Sequence, residues 1–238
     1  MKRETLDTIK GAEIYQARSG YRFSIDAVLL ENFIRVRKDA RGIEFGTGSG
    51  VISILLARRL KGVRLTAIEL QDALAERASR NICLNGLESR IEVLRKNIKD
   101  LRDLYPTNSF DFVYSNPPFR QVTTGRISVG SERSIARHEI EITLAELVES
   151  AAYLLNHSGR FFIVYHPFRL AELITELRSV NLEPKRMQFI HSRAGEEAKM
   201  VLVEAVKGSG VWLKIISPLC IYNSNDQYTD EVLGILAK

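Results

Sequence analysis

The chain has 238 residues, 45% hydrophobic and 26% charged, an ordinary soluble composition with room for one large domain or two small ones. A net charge of +5 and a pI near 9.2 fit a polyanionic partner or simply a solvated basic surface. Cys83 and Cys220 are far apart and outside any C-x-x-C spacing, which argues against a disulfide framework or a zinc cluster and fits a reduced, cytoplasmic setting. The charged start Met1-Lys2-Arg3-Glu4-Thr5 lacks the apolar run of a secretory signal, and no apolar stretch approaches the ~18 residues of a membrane span.

In chain order, Ala12 to Gln16 and Tyr21 to Phe23 flank Arg18-Ser19-Gly20 and predict a small hairpin or extended lead-in. Ser24 reads as an N-cap, with Asp26 in the first turn and Ile25, Val28, Leu29, Phe33 and Ile34 at helical spacing. This lead-in is expected to fill residues 1–38, ahead of one domain over 39–238. From Gly42 strands and helices alternate. Gly42 to Phe45 predicts a strand, Gly46-Thr47-Gly48-Ser49-Gly50 a glycine loop, and Val51 to Leu60 a helix. A second strand over Val63 to Leu70 is followed by a helix over Asp72 to Asn85, stopped at Gly86. Ile91 to Leu94, Phe110 to Tyr114 and Gly159 to Tyr165 predict further strands, with a long helix over Glu139 to Leu155 and another opened by Pro167.

Such alternation predicts an α/β fold, a mostly parallel sheet with helices on both faces. Met187 to His191 and Met200 to Val206 are joined by too short a connection for a parallel crossover. One antiparallel strand is therefore expected at the sheet edge. The tail predicts an extended segment over Val211 to Tyr222 and a short helix over Thr229 to Leu236.

Two constellations carry chemistry. Glycines between the first strand and its helix let a ligand approach the backbone. Glu69, at the end of the second strand, lies 23 residues after Gly46, close to the ~20 expected of an acid that accepts both hydroxyls of a ribose. Val51 stands where the third glycine of G-x-G-x-x-G would fall, so a pyrophosphate has no evident seat. The second constellation is Asn116-Pro117-Pro118-Phe119, an elbow closing the strand Phe110 to Val113. Two prolines stop a strand and hold their neighbours. The Asn116 side-chain oxygen and the Pro117 carbonyl are acceptors suited to a planar amino group, and Phe119 suits stacking on a base. Read alone, the same residues also make an ordinary turn.

With the glycine loop, Glu69, the antiparallel strand and Asn116-Pro117-Pro118-Phe119 together, the chain resembles the class I S-adenosylmethionine-dependent methyltransferases. It is similar to their amino-methylating branch, whose [Asn/Asp/Ser]-Pro-Pro-[Tyr/Phe/Trp] motif ends the fourth strand. The resemblance implies a Rossmann-like, seven-stranded sheet with an antiparallel last strand. It also implies S-adenosylmethionine as cofactor, S-adenosylhomocysteine as product, and no metal. Gly46, Thr47 and Gly48 would line the methionine part, with Glu44 and Gly50 beside them. Glu69 and Leu70 would flank the ribose. Asn97 and Ile98 would flank the adenine, where the family often has an acid, and Asn116 would close the pocket. Tyr21 to Leu30 and the stretch from Gly125-Arg126 to His138-Glu139 resemble the bacterial tRNA adenine methyltransferases that act on valine tRNA beside the anticodon. By that resemblance Phe23, Ser24 and Asp26 border the cofactor. Arg120, Arg126, Arg133 and Arg137, within eighteen residues after the elbow, are candidates for bidentate RNA phosphate contacts. The expected activity is N6-methylation of an adenine in tRNA. Glutamine side-chain methylation of a release factor, and a non-catalytic RNA-binding module with a cofactor fold, remain alternatives.

Overall fold

The computed structural model describes residues 4–18, 22–117 and 142–237. Two strands, β1 (Glu4–Ile9) and β2 (Ala12–Ala17), pair antiparallel around Lys10-Gly11. Both turn residues have positive φ, 49° and 71°, the requirement of a two-residue hairpin turn whose twist matches its strands. The hairpin expected around Arg18-Ser19-Gly20 is therefore not the one formed. Ala12–Ala17 turns back on the preceding alternating segment instead, and residues 19–21 lie outside the described residues.

Helix α1 (Ile25–Phe33) follows. Ser24 is its N-cap in extended backbone geometry, as expected, but its hydroxyl makes no capping hydrogen bond. Then come β3 (Arg41–Phe45), α2 (Val51–Arg59), β4 (Arg64–Glu69), α3 (Asp72–Leu84), β5 (Ile91–Arg95), α4 (Leu101–Leu104) and β6 (Phe110–Ser115). Helix α5 runs over Leu144–Leu154, not from residue 139. Thr143 and Glu146 form a capping box whose reciprocal bonds define the helix start. Strand β7 (Leu155–Tyr165), α6 (Leu170–Ser179), β8 (Leu182–His191), β9 (Ala198–Lys207), the two-residue strands β10 (Lys214–Ile215) and β11 (Leu219–Cys220), and α7 (Asp230–Ala237) complete the described chain.

The seven long strands of the main sheet run β8-β9-β7-β6-β3-β4-β5, all parallel except β9. Short β10 and β11 add to β8 in parallel. The antiparallel strand is thus internal, not at the edge. The crossover through α6 sets β8 parallel to β7 one place away, and β9 folds back from β8 to fill the gap.

Alternate side chains of the central strands feed two cores, one on each face. On β7, Phe162 and Val164 pack with α1, α2 and α7, whereas Phe161, Ile163 and Tyr165 pack with α5 and α6. Ile14 of the hairpin and Leu30, Phe33 and Ile34 of α1 and its end lie in the first of these cores. Gly42 is there for close approach: a Cβ would stand 2.2 Å from the Phe112 ring. Parallel order with helices on both faces directs every strand end except that of β9 to one rim, where loops can gather side chains.

Candidate active site

The rim is built first around the loop after β3. Gly46, Gly48 and Gly50 have φ of 72°, 60° and 84°, a left-handed region that penalises any Cβ. The amides of Gly46 and Thr47 both donate to the Ile68 carbonyl at 2.9 Å, tying the loop to the end of β4. No atom lies within 4 Å of a Cβ built on Gly46, so space is open above it. Ser49 Oγ, at the next turn of the same loop, is buried without a hydrogen-bond partner among the described residues. A buried hydroxyl left without a partner calls for a polar group that the described residues do not supply.

Glu69 ends β4 and is 4% exposed. Its Oε2 accepts from Gly48 N at 2.8 Å, and its Oε1 from Leu70 N and Gln71 N at 3.0 Å each. Burial pushes this carboxyl up from its ordinary range, and the three backbone donors oppose that shift. The carboxylate is thus fixed over the glycine loop. Lys96 N donates to the Glu69 carbonyl at 3.1 Å, bringing the end of β5 alongside. There Asn97 caps a single 3-10 turn, Ile98–Asp100, by accepting from Lys99 N at 3.0 Å.

Glu44, one residue before the end of β3, is 1% exposed. Its Oε2 accepts from Thr47 Oγ1 at 2.7 Å and from Ser53 Oγ. Ser53 Oγ lies 2.6 Å from the Tyr114 hydroxyl on β6. Burial, partly opposed by these hydroxyls, pushes the Glu44 carboxyl up to about 8. It also raises the Tyr114 phenol well above its usual value. A neutral Glu44 therefore sits beside Glu69.

Asn116 follows β6 and is half-buried. Phe45 pairs with Ser115, and Ser115 Oγ donates to the Phe45 carbonyl at 3.0 Å, so Gly46 and Asn116 each follow the end of one of two neighbouring parallel strands at the same rim. Pro117 is also half-buried. Pro118, Phe119, Arg120, Arg126, Arg133 and Arg137 lie outside the described residues. The rim thus gathers Glu44, Gly46, Thr47, Gly48, Gly50, Glu69, Leu70, Asn97, Ile98 and Asn116. Phe23, Ser24 and Asp26 reach it less directly: Phe23 N donates to Gln16 Oε1 of β2 at 2.9 Å, and β2 is joined to the loop through α3.

That junction is Asn81, which the sequence reading passed over. Fully buried on α3, it donates to the carbonyls of Ser49 at 2.9 Å and Tyr15 at 3.1 Å, and accepts from Tyr15 N at 2.8 Å. Its signal was an asparagine on the stripe Leu74, Ala75, Ala78, Ile82, since a polar residue in an apolar stripe is buried only when bonded. Ser53 and Tyr114 were missed as well, both sitting on otherwise apolar faces. A cavity of about 570 Å³, lined by Lys10, Arg58, Arg59, Lys61 and Arg90 among others, lies at the far end of α2 from the glycine loop. Among the described residues, no group of three or more His, Cys, Asp or Glu could hold a metal ion, and no helix is long and apolar enough to cross a membrane.

Comparison with known proteins follows the same outline. The chain is 29% identical over 228 residues, 96% of its own length and 94% of the relative's, to the tRNA1(Val) (adenine(37)-N6)-methyltransferase of Phocaeicola vulgatus. Among solved structures, a predicted O-methyltransferase from Agrobacterium tumefaciens superposes with a TM-score of 0.72 at 23% identity, covering 88% of this chain and 94% of that one. A geranyl diphosphate C-methyltransferase from Streptomyces coelicolor, solved with S-adenosyl-L-homocysteine, gives 0.56 at 13% identity, covering 76% and 78%. At such identities these two structures bear on the fold, and the fold is that of a Rossmann-like methyltransferase. The model of the methyltransferase small domain matches residues 24–189, from the cap of α1 to near the end of β8, and the chain belongs to that family.

Proposed function

We propose that this protein transfers a methyl group from S-adenosylmethionine to the N6 amino group of an adenine in tRNA, the adenine beside the anticodon of valine tRNA. The observation that carries the reading is the parallel pairing of β3 with β6 through Phe45 and Ser115, after which the glycine loop and Asn116 follow neighbouring strand ends at one rim. The named activity of the Phocaeicola relative, matched along nearly the whole chain, supports the choice of substrate.

Gly46, Thr47, Gly48 and Gly50 would hold the methionine part, with Glu44 beneath. Glu69 and Leu70 would hold the ribose, Asn97 and Ile98 the adenine, with Phe23, Ser24 and Asp26 at the border. Bound there, S-adenosylmethionine supplies an electrophilic methyl group. The protein's own contribution is to the acceptor. An adenine amino nitrogen is a weak nucleophile because its lone pair is delocalised into the ring. Asn116 Oδ1 and the Pro117 carbonyl accept its two N–H groups and favour tetrahedral geometry, a contact strongest in the transition state. Phe119 stacks on the base, and Arg120, Arg126, Arg133 and Arg137 bind phosphates around a flipped nucleotide. The reaction needs no metal and takes place in the cytoplasm.

The test is incubation with labelled cofactor and bulk tRNA, followed by nucleoside analysis, across a salt series. N6-methyladenosine is expected, with each arginine-to-alanine variant flattening the log-affinity against log-salt slope by about 0.7–0.9 per lost phosphate contact. Methylated glutamine in a protein, with no methyladenosine in RNA, would transfer the assignment to release-factor chemistry.

A further inference from the structure

Strand β7 is the parallel neighbour of β6 on the side away from the glycine loop. Ser115 pairs with Ile163, so in register Asn116 stands level with Val164 and Pro117 with Tyr165. The residues that follow, His166-Pro167-Phe168-Arg169, leave the rim end of β7, the strand next to the one that leads into Asn116. Pro167 opens a 3-10 turn over Pro167–Arg169, and this turn carries Phe168 outward.

Phe168 is 78% exposed, second only to Trp212 among the exposed large hydrophobics of the described residues. It gives almost nothing to the core, which Leu173 and Leu177 of α6 fill. Yet its ring is placed. The His166 imidazole lies nearly parallel to it, centroids 4.9 Å apart and planes at 28°, while Arg169 is held by both oxygens of Glu172 and folds over Tyr165. A phenyl ring backed on one side by an imidazole and 78% exposed presents a flat apolar face. Further along the rim, at the ends of β8 and β11, Tyr222 and Tyr228 stack at 5.4 Å with Arg193 over Tyr222. From Asn116 to Tyr222 is four strand spacings, roughly 19 Å, a ledge of aromatic and cationic groups of the kind unpaired RNA occupies.

We propose that Phe168, backed by His166, is the stacking platform for an unpaired nucleobase next to the methylated adenine. The inference rests on the tRNA reading above and adds to it the residue that holds the flanking base. Stacking fixes the neighbour while the target adenine is turned toward Asn116. Phe168 is thus a substrate-positioning residue, separate from the cofactor pocket.

The experiment uses the full chain and the anticodon stem-loop of valine tRNA. It compares wild type with Phe168→Ala, Phe168→Trp and a control, Trp212→Ala. That control removes an equally exposed aromatic beside Lys214, which pairs with Arg186 in the first half of β8, away from the catalytic rim. RNA affinity, S-adenosylhomocysteine affinity and the split between KM and kcat are read for each. Phe168→Ala is expected to weaken RNA binding by about 5- to 150-fold, the range for one base–aromatic stack, with KM raised and cofactor affinity unchanged. Phe168→Trp should restore binding, and Trp212→Ala should leave it at the wild-type value. On RNAs with an abasic site on either side of the target, the cost of Phe168→Ala should vanish for one of the two. Affinity of Phe168→Ala within twofold of the control, or a cost that persists on both abasic RNAs, overturns the platform while wild-type methylation leaves the activity standing. A wild-type protein that neither binds nor methylates the RNA overturns both.

Discussion

The two sides of the catalytic rim are built in opposite ways. On the β3–β4 side Glu44 and Glu69 are buried and already bonded, Glu69 by three backbone amides and Glu44 by two hydroxyls, with the Tyr114 hydroxyl behind them. On the β7–β8 side Phe168 is exposed, Arg193 reaches over Tyr222, and little is buried. A site for a small cofactor gains from acceptors that are fixed before it arrives, since preorganisation avoids ordering costs at binding. A macromolecular substrate brings its own shape and is met by an open ledge. The difference teaches that the cofactor side should respond to substitution through stability and affinity, and the other side through substrate alone.

The largest effect expected concerns the buried acids. Glu44 is held at about 8 against an ordinary 4.5. Below pH 4.5 it is protonated in folded and unfolded chains alike. Between 4.5 and 8 the unfolded chain ionises and the folded one does not, so stability from this group falls as pH rises through that window. The total is on the order of 5 kcal/mol at ~1.4 kcal/mol per unit. Glu44→Gln, whose carbonyl still accepts from Thr47 and Ser53, should flatten the slope of unfolding free energy in denaturant titrations between pH 5 and 8. An unchanged slope would assign the pH dependence elsewhere and remove the neutral acid from the comparison.

Next come the residues on either side of the loop mouth. Asn116→Ala should slow single-turnover methylation by about 10²–10³, the scale of one preorganised transition-state contact, and leave cofactor affinity nearly intact. Glu69→Ala should do the reverse, weakening S-adenosylhomocysteine binding by about 2–4 kcal/mol as two charge-assisted bonds to the ribose are lost. Calorimetry and rapid-quench kinetics on both variants test this crossing pattern. If Asn116→Ala loses affinity as strongly as Glu69→Ala, the two sides are one site energetically and the contrast fails.

The smallest effect is expected at Asn81. Its removal strands the Ser49 carbonyl and both backbone groups of Tyr15, so Asn81→Ala should cost roughly 1–3 kcal/mol. That lowers Tm by about 2–4 °C per kcal/mol in a chain of this size. Because Ser49 belongs to the glycine loop, cofactor affinity should fall with it, which melting with and without S-adenosylhomocysteine will read. A loss of Tm with unchanged affinity would make Asn81 a packing residue only.

Local order was largely readable from residues alone. The alternation of strands and helices from Gly42 onward, the glycine loop, the acid 23 residues beyond Gly46 and the elbow at Asn116 all follow from periodicity, turn chemistry and short spacings. These are written within a few residues of where they act, and the parallel pairing of β3, β4 and β5 then brings Gly48, Glu69 and Asn97 to one rim. What was not readable is partner choice. Ala12–Ala17 had two flanking segments to pair with, and the two-residue turn at Lys10-Gly11 decided for the earlier one. An antiparallel strand could be inferred from the short β8–β9 connection, but its seat between β7 and β8 depends on a crossover that leaves a gap, a long-range property. The Glu44–Ser53–Tyr114 chain joins residues up to 70 positions apart, and Asn81 bridges segments 66 apart. Only close packing of the sheet against its helices could show that Asn81 is satisfied inside the core and that Phe168 is left outside it.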